Sequence, residues 1–202
     1  EKYGVKIHLN TPVTRELIDR EKPDTVICAI GSEPLVPPIK GLDLPVVVGA
    51  TDMFEEGADI GHKVIVIGGG LVGCEAGVYL AQQGHDVTIV EMRDDIAIDA
   101  TMDHRRFMMD EIETLSDRFH TACSHTVSRV EPEGVYAKDT NGEEHFFPAD
   151  TVVLAAGLKA RSAEAEALRS PDYDFVLIGD ARRARKVYTA VREGYDAGTF
   201  IK

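Results

Sequence analysis

Between Lys63 and Glu91 the chain reads as a single strand–turn–helix–strand unit, and few folds accommodate one. Residues 64–67 are a short run of β-branched side chains, as expected of a strand buried on both faces of a parallel sheet. Gly68, Gly70 and Gly73 follow in G-x-G-x-x-G order, with Gly69 inside the turn. The first glycine allows a tight turn, the second admits a pyrophosphate close to the backbone, and the third lets helix meet strand. Residues 71–83 read as the helix, stopped by Gly84 where a left-handed C-cap falls. Residues 87–90 form the second strand and deliver Glu91 at its end, 18 positions after Gly73 (91 − 73). A carboxylate near that distance can accept from both hydroxyls of a ribose. The backbone amides of Leu71 and Val72, at the helix N-terminus, would receive the pyrophosphate. The competing reading is a purely structural glycine turn, and the acid at Glu91 argues against it.

At 202 residues the chain is long enough for one large domain or two small ones, and 44% apolar residues support a core rather than disorder. A net charge of −13 argues against nucleic acid or an anionic membrane as main partner, since both need a basic face. No apolar run is long enough to span a bilayer, and no signal peptide is expected. Cys28, Cys74 and Cys123 lie far apart, without paired spacing, and are expected to be reduced thiols of a cytoplasmic protein. The chain opens at Glu1 rather than Met, and is expected to be a piece of something larger.

An internal echo extends the argument. Asp24-Thr25-Val26-Ile27-Cys28-Ala29-Ile30-Gly31 recurs as Asp150-Thr151-Val152-Val153-Leu154-Ala155-Ala156-Gly157, identical at five of eight positions. Each copy reads as a buried strand ending in a glycine where backbone can approach a ligand. Two similar strands can arise from ordinary composition; the preferred reading is a duplicated nucleotide-binding half. Residues 5–9, a helix around 11–20, and 25–30 read as a partial strand–helix–strand. Five prolines and glycines between 31 and 49 read as a linker. Met108, Ile112, Leu115 and Phe119 step by four, three and four, predicting one apolar helical face. Residues 121–147 alternate as a small meander with a hairpin turn at Asn141-Gly142. A last strand over 175–178 ends at Gly179-Asp180, and 187–201 form a terminal helix.

These signatures, in this order, resemble the flavoprotein reductases with two dinucleotide-binding domains. The run from Gly68 to Glu75, the run from Val90 to Ala97, and Ile178-Gly179-Asp180 carry the resemblance. They point to the C-terminal region of the 2,4-dienoyl-CoA reductase, trimethylamine dehydrogenase and 2-enoate reductase group of NADH:flavin oxidoreductases. The resemblance implies an α/β fold: a Rossmann-like parallel sheet with a β-meander, in an NAD(P)-binding domain inserted into a partial FAD-binding domain. It assigns residues 1–50 and 158–202 to the FAD-type flanks and 51–157 to the inserted NAD(H) domain. The FAD domain's own first glycine motif, the amino-terminal FMN barrel and the iron–sulfur cysteines of the group lie outside this sequence. The implied partners are the dinucleotide and those missing N-terminal domains of the same enzyme.

By this resemblance Glu75 faces the nicotinamide side of the cleft, and a helix N-terminal acid favoured by the macrodipole is its plain alternative. Ala155, Ala156 and Gly157 close the cleft, while Gly31, Gly179 and Asp180 supply flavin-side contacts. Glu91 favours NADH over NADPH because a carboxylate repels a 2′-phosphate. Met92 belongs to the same run, and Arg93 is read as stacking on adenine or pairing with a phosphate. The expected function is an electron-transfer module that places NADH for hydride transfer to FAD in the full-length enzyme, without turnover alone; a non-catalytic ADP-binding domain is the alternative. No catalytic side chain is expected, since hydride transfer is cofactor chemistry that the protein positions. The histidines show no ligand spacing, so no metal site is expected. The Arg182, Arg183, Arg185 and Lys186 cluster reads as a solvated turn, or as a contact for flavin phosphate or a partner domain.

Overall fold

The computed structural model describes residues 3–55 and 59–201. It divides into two compact units, one of residues up to Glu33 and from Leu158 onward, the other Pro34–Gly157. In chain order the elements begin with α1 (Arg15–Glu21), β1 (Thr25–Cys28), β2 (Ser32–Pro34) and β3 (Val47–Gly49). Then come β4 (Lys63–Ile67), α2 (Leu71–Gln82), β5 (Asp86–Val90), α3 (Met102–Thr114) and β6 (Phe119–Ala122). The meander is β7 (Thr126–Glu131), β8 (Gly134–Lys138) and β9 (Glu144–Pro148), followed by β10 (Thr151–Leu154). The last elements are β11 (Leu158–Ala160), α4 (Ser162–Glu166), β12 (Asp174–Leu177) and α5 (Val187–Phe200).

In the Pro34–Gly157 unit, five parallel strands run in the order β3-β10-β4-β5-β6. One face of this sheet carries Val64, Val66, Val87, Ile89 and Val153 against Cys74, Leu80 and Ala81 of α2 and Met108 of α3. The other face packs Ile65, Ile67, Val90 and Val152 against Val130, Val135 and Ala137 of the antiparallel β7-β8-β9 meander. Covering both faces explains why β4 and β5 are apolar without alternation. The Rossmann-like sheet with a β-meander is therefore present as expected. Gly84 follows α2 at φ +96, as a left-handed C-cap requires. At the β8–β9 turn, Asp139 Oδ1 accepts from the Asn141 and Glu143 N–H groups at 2.8 and 2.9 Å, so the hairpin falls at Asn141-Gly142.

The other unit is built around the parallel pair β1–β12. Thr14 Oγ1 accepts from Leu17 N–H at 3.3 Å and starts α1, which buries Ile18. Helix α5 buries none of its residues.

Several expectations shift. Residues 5–9 are not a strand: no described strand pairs with them, and Val5, Ile7 and Leu9 stay exposed. Helix α1 starts at Arg15 rather than residue 11, where its Thr14 cap lies. The Met108–Phe119 face is not one helix: α3 ends at Thr114, and Phe119 joins the sheet opposite Val87. Pairing won over periodicity there. Residues 121 and 122 likewise belong to the parallel sheet, and the meander begins at Thr126. Residues 34–50 group with the central unit because β3 pairs with β10, so the units divide ahead of residue 50.

Candidate functional site

The glycine turn sits between the C-terminal end of β4 and the N-terminus of α2. Gly68 has φ +106, and a Cβ there would lie 2.5 Å from the Ala155 carbonyl oxygen. A Cβ on Gly73 would lie 1.9 Å from the Gly68 carbonyl oxygen, so only glycine lets α2 close onto the turn. Gly70 differs: its open side meets only the Asp99 carboxylate, at 3.5 and 3.6 Å, and the Arg93 guanidinium, at 3.8 Å. That open side faces a cavity of about 600 Å³, within the range of small-molecule sites. Gly68, Gly70 and residues 155–157 line one wall, and Glu91, Met92 and Arg93 line another. It lies at the carboxyl ends of parallel strands, where open α/β sheets hold ligands. The first N–H groups of α2 have no carbonyl partner within the helix and carry its positive end, which suits an anion.

Glu91 is 4% exposed. Its Oε2 accepts from Gly69 N–H at 2.5 Å, and its Oε1 from the Arg93 N–H and Nε at 2.9 and 3.0 Å. Burial alone would push this carboxyl up. The Arg93 and Gly69 N–H groups and the Arg93 guanidinium outweigh it and hold the group below its ordinary value. Glu91 therefore stays ionised and fixes both the turn and Arg93. Three of the roughly four acceptor positions of a carboxylate are thus used within the protein. Arg93 is tied to Glu91 rather than free, and its terminal nitrogen reaches toward Gly70. Buried Cys74 bonds the Gly69 carbonyl at 3.4 Å, and burial pushes its thiol up to about 12. It packs as a neutral group.

Eight of the sixteen expected residues line this cavity, and the others do not. Glu75 lines a separate hollow between α2 and α3, where it lies 3.6 Å from His104. Gly31, Gly179 and Asp180 belong to the other unit. There the Gly179 N–H donates to Glu193 Oε2 at 2.7 Å, and Asp180 Oδ1 accepts from Arg185 N–H at 3.1 Å. A cavity of that unit is lined by Thr25, Phe175, Leu177 and Arg182 among others, and these three residues do not line it. Arg182 and Arg185 pair with Glu193 rather than standing as a free basic cluster.

Sequence reasoning missed the apolar and aromatic side of the cavity: Leu35, Pro37, Ile39, His125 and Val127. It also missed Asp99. Only the fold brings the 35–39 and 125–127 segments beside the turn. Asp139, Glu143 and His145 place one ligand atom each within 4.8 Å of one another, but Asp139 is engaged in closing its hairpin. Among the described residues no helix is long and apolar enough to cross a membrane.

Comparisons with known proteins supply the family. Residues 1–178 match the family model described as pyridine nucleotide-disulphide oxidoreductase. The chain is 36% identical to a cinnamate reductase of Clostridium sporogenes over 98% of its length and 30% of that protein. It is 39% identical to an NADH oxidase of Thermoanaerobacter brockii over 95% of its length and 30% of that protein. A solved 2-naphthoyl-CoA reductase complex superposes with a TM-score of 0.89 at 31% identity, covering all of this chain and 30% of that one. The chain thus spans about 30% of the length of these relatives. With its glycine turn, parallel sheet and meander, the chain belongs to the pyridine nucleotide-disulphide oxidoreductase family, whose members are FAD- and NAD(H)-binding redox proteins.

Proposed function

We propose that the Pro34–Gly157 unit binds NADH and presents its nicotinamide for hydride transfer to FAD in a larger flavin-dependent reductase of the enoate or dienoyl-CoA type. The observation that carries this reading is Gly70: its open face, the α2 N-terminus and the Arg93 guanidinium border the same cavity. The residues present fit a dinucleotide. The Leu71 and Val72 amides and Arg93 would hold the pyrophosphate, the remaining acceptor position of Glu91 would take a ribose hydroxyl, and Leu35, Pro37 and His125 would flank the adenine. A bound nicotinamide supplies the hydride. The protein's part is to orient it and exclude water, so no acid–base residue is assigned. The ionised Glu91 supports NADH over NADPH. FAD, and FMN with an iron–sulfur cluster, belong to the proposed whole enzyme.

Calorimetric titration with NADH, NADPH and ADP tests the reading. NADH is expected to bind most tightly. Equal affinity for ADP and NADH would leave the nicotinamide without productive contacts and favour the ADP-binding alternative. Tighter NADPH binding would overturn the role given to Glu91. Gly70→Val should abolish nucleotide binding in a folded protein, because Gly70 has an ordinary φ of −68 and valine would fill the phosphate side. Retained binding by that variant would move the phosphate elsewhere.

A further inference from the structure

We infer that the Asp99 carboxylate is a built-in anion at the phosphate end of the cavity, which an incoming pyrophosphate must displace. The inference rests on the dinucleotide reading above and concerns what opposes it. Leu71 N–H, at the start of α2, donates to Asp99 Oδ1 at 2.9 Å. The N-cap is Gly70, which has no side chain to cap with, and the first turn of α2 holds no acid. Asp99 therefore supplies from a distant loop the negative group that a helix N-terminus favours. Its two oxygens are the atoms that a Cβ on Gly70 would meet first. They lie over the face left open for a phosphate.

The loop does not leave Asp99 there by chance. Ala97 N–H donates to the Gly69 carbonyl at 2.7 Å, and Ala97 holds a left-handed φ of +51. Ile96 is buried, with its methyl 2.8 Å from where a Gly69 Cβ would stand. Arg105 clamps the loop through Asp95 Oδ2 at 2.5 Å and the Ile96 carbonyl at 3.2 Å. Two acids of the same segment are paired, Asp95 with Arg105 and Glu91 with Arg93. Asp99 makes no ion pair among the described residues. It is an exposed charge with no ion-pair partner on a fixed backbone, so its side chain can turn away while its charge stays close to the bound phosphates. The consequence is a weakened grip on the dinucleotide, suited to a cofactor that must leave after each transfer.

Asp99→Asn tests this, since its amide oxygen can still accept from Leu71 N–H while the charge is gone. Titration of the full chain with ADP and NADH should show about tenfold tighter binding to D99N, and the gain should shrink at about 0.5 M salt. Adenosine, which carries no phosphate, should bind both forms alike. Asp99→Ala, checked by thermal melting, should also tighten ADP binding although it loses the cap. Unchanged or weaker ADP binding by both folded variants would overturn the inference and leave the dinucleotide reading standing. An equal gain for adenosine would overturn the charge argument. No ADP or NADH binding by the wild type or either variant would overturn the inference and the dinucleotide reading together.

Discussion

Residues 25–28 and 151–154 come from copies of one sequence pattern, yet they meet different surroundings. In the central unit β10 lies between β3 and β4, and Val152 and Val153 are fully buried. In the other unit β1 pairs with β12 alone among the described strands, Val26 is half-buried and Ile27 is exposed. The same contrast runs through the helices: α2 buries seven of its residues, whereas α5 buries none. A strand sequence specifies extended backbone, but the number of neighbours decides how much hydrophobic free energy it contributes. In the central unit that coverage frames the cavity beside Gly70.

The strongest way to break this comparison is at glycines of the two helices. Gly73→Val puts side-chain carbon onto the Gly68 carbonyl and should cost about 3 kcal/mol or more, unfolding the central unit. Gly194→Ala in α5 meets nothing within 4 Å and should stabilise by about 0.5–1 kcal/mol. Denaturant unfolding of the two variants reads both, and a tolerated Gly73→Val would remove the close-packing argument. A smaller effect is expected at the echoed strands. Val153→Ala should cost about 2–3 kcal/mol and Val26→Ala about 1 kcal/mol, from the difference in burial. Equal costs would show that β1 is as well covered as β10.

The last comparison is electrostatic. The Glu91 carboxyl is depressed, so it binds protons less readily folded than unfolded. Its contribution is therefore present above the ordinary carboxyl range and lost as pH falls through the lowered folded value. Wild type should exceed Glu91→Gln by about 1–2 kcal/mol near neutral pH, with the gap closing in acid. In the other unit Glu193 is lowered chiefly by the Arg185 guanidinium and also by the Gly179 N–H. Glu193→Gln should follow the same sign with a smaller, salt-sensitive gap. A gap at Glu91 that is flat with pH would mean its role is packing alone.

Much of the central unit was legible from local pattern. The apolar runs of β4 and β5, the glycine spacing, Gly84 and Asn141-Gly142 each obey rules that act over a few residues. The errors came where local pattern and pairing compete. Phe119 continues a helical period, but the open edge of β5 draws it into the sheet. Residues 5–9 are apolar enough for a strand, but no described strand accepts them. At the site, Glu91 was legible as an acid ending a strand, whereas its clasp with Gly69 and Arg93 was not.

By itself, then, the sequence determined the strand–turn–helix–strand and the glycine spacing at residues 68, 70 and 73, because turn chemistry and periodicity are local. Tertiary structure alone decided that β10 is central and β1 is not, and that Leu35 and His125 line the same cavity as Gly70. It also brought Asp99 to the start of α2 from 28 residues away. Those outcomes depend on which distant surfaces exclude water together, and no short window of sequence records that.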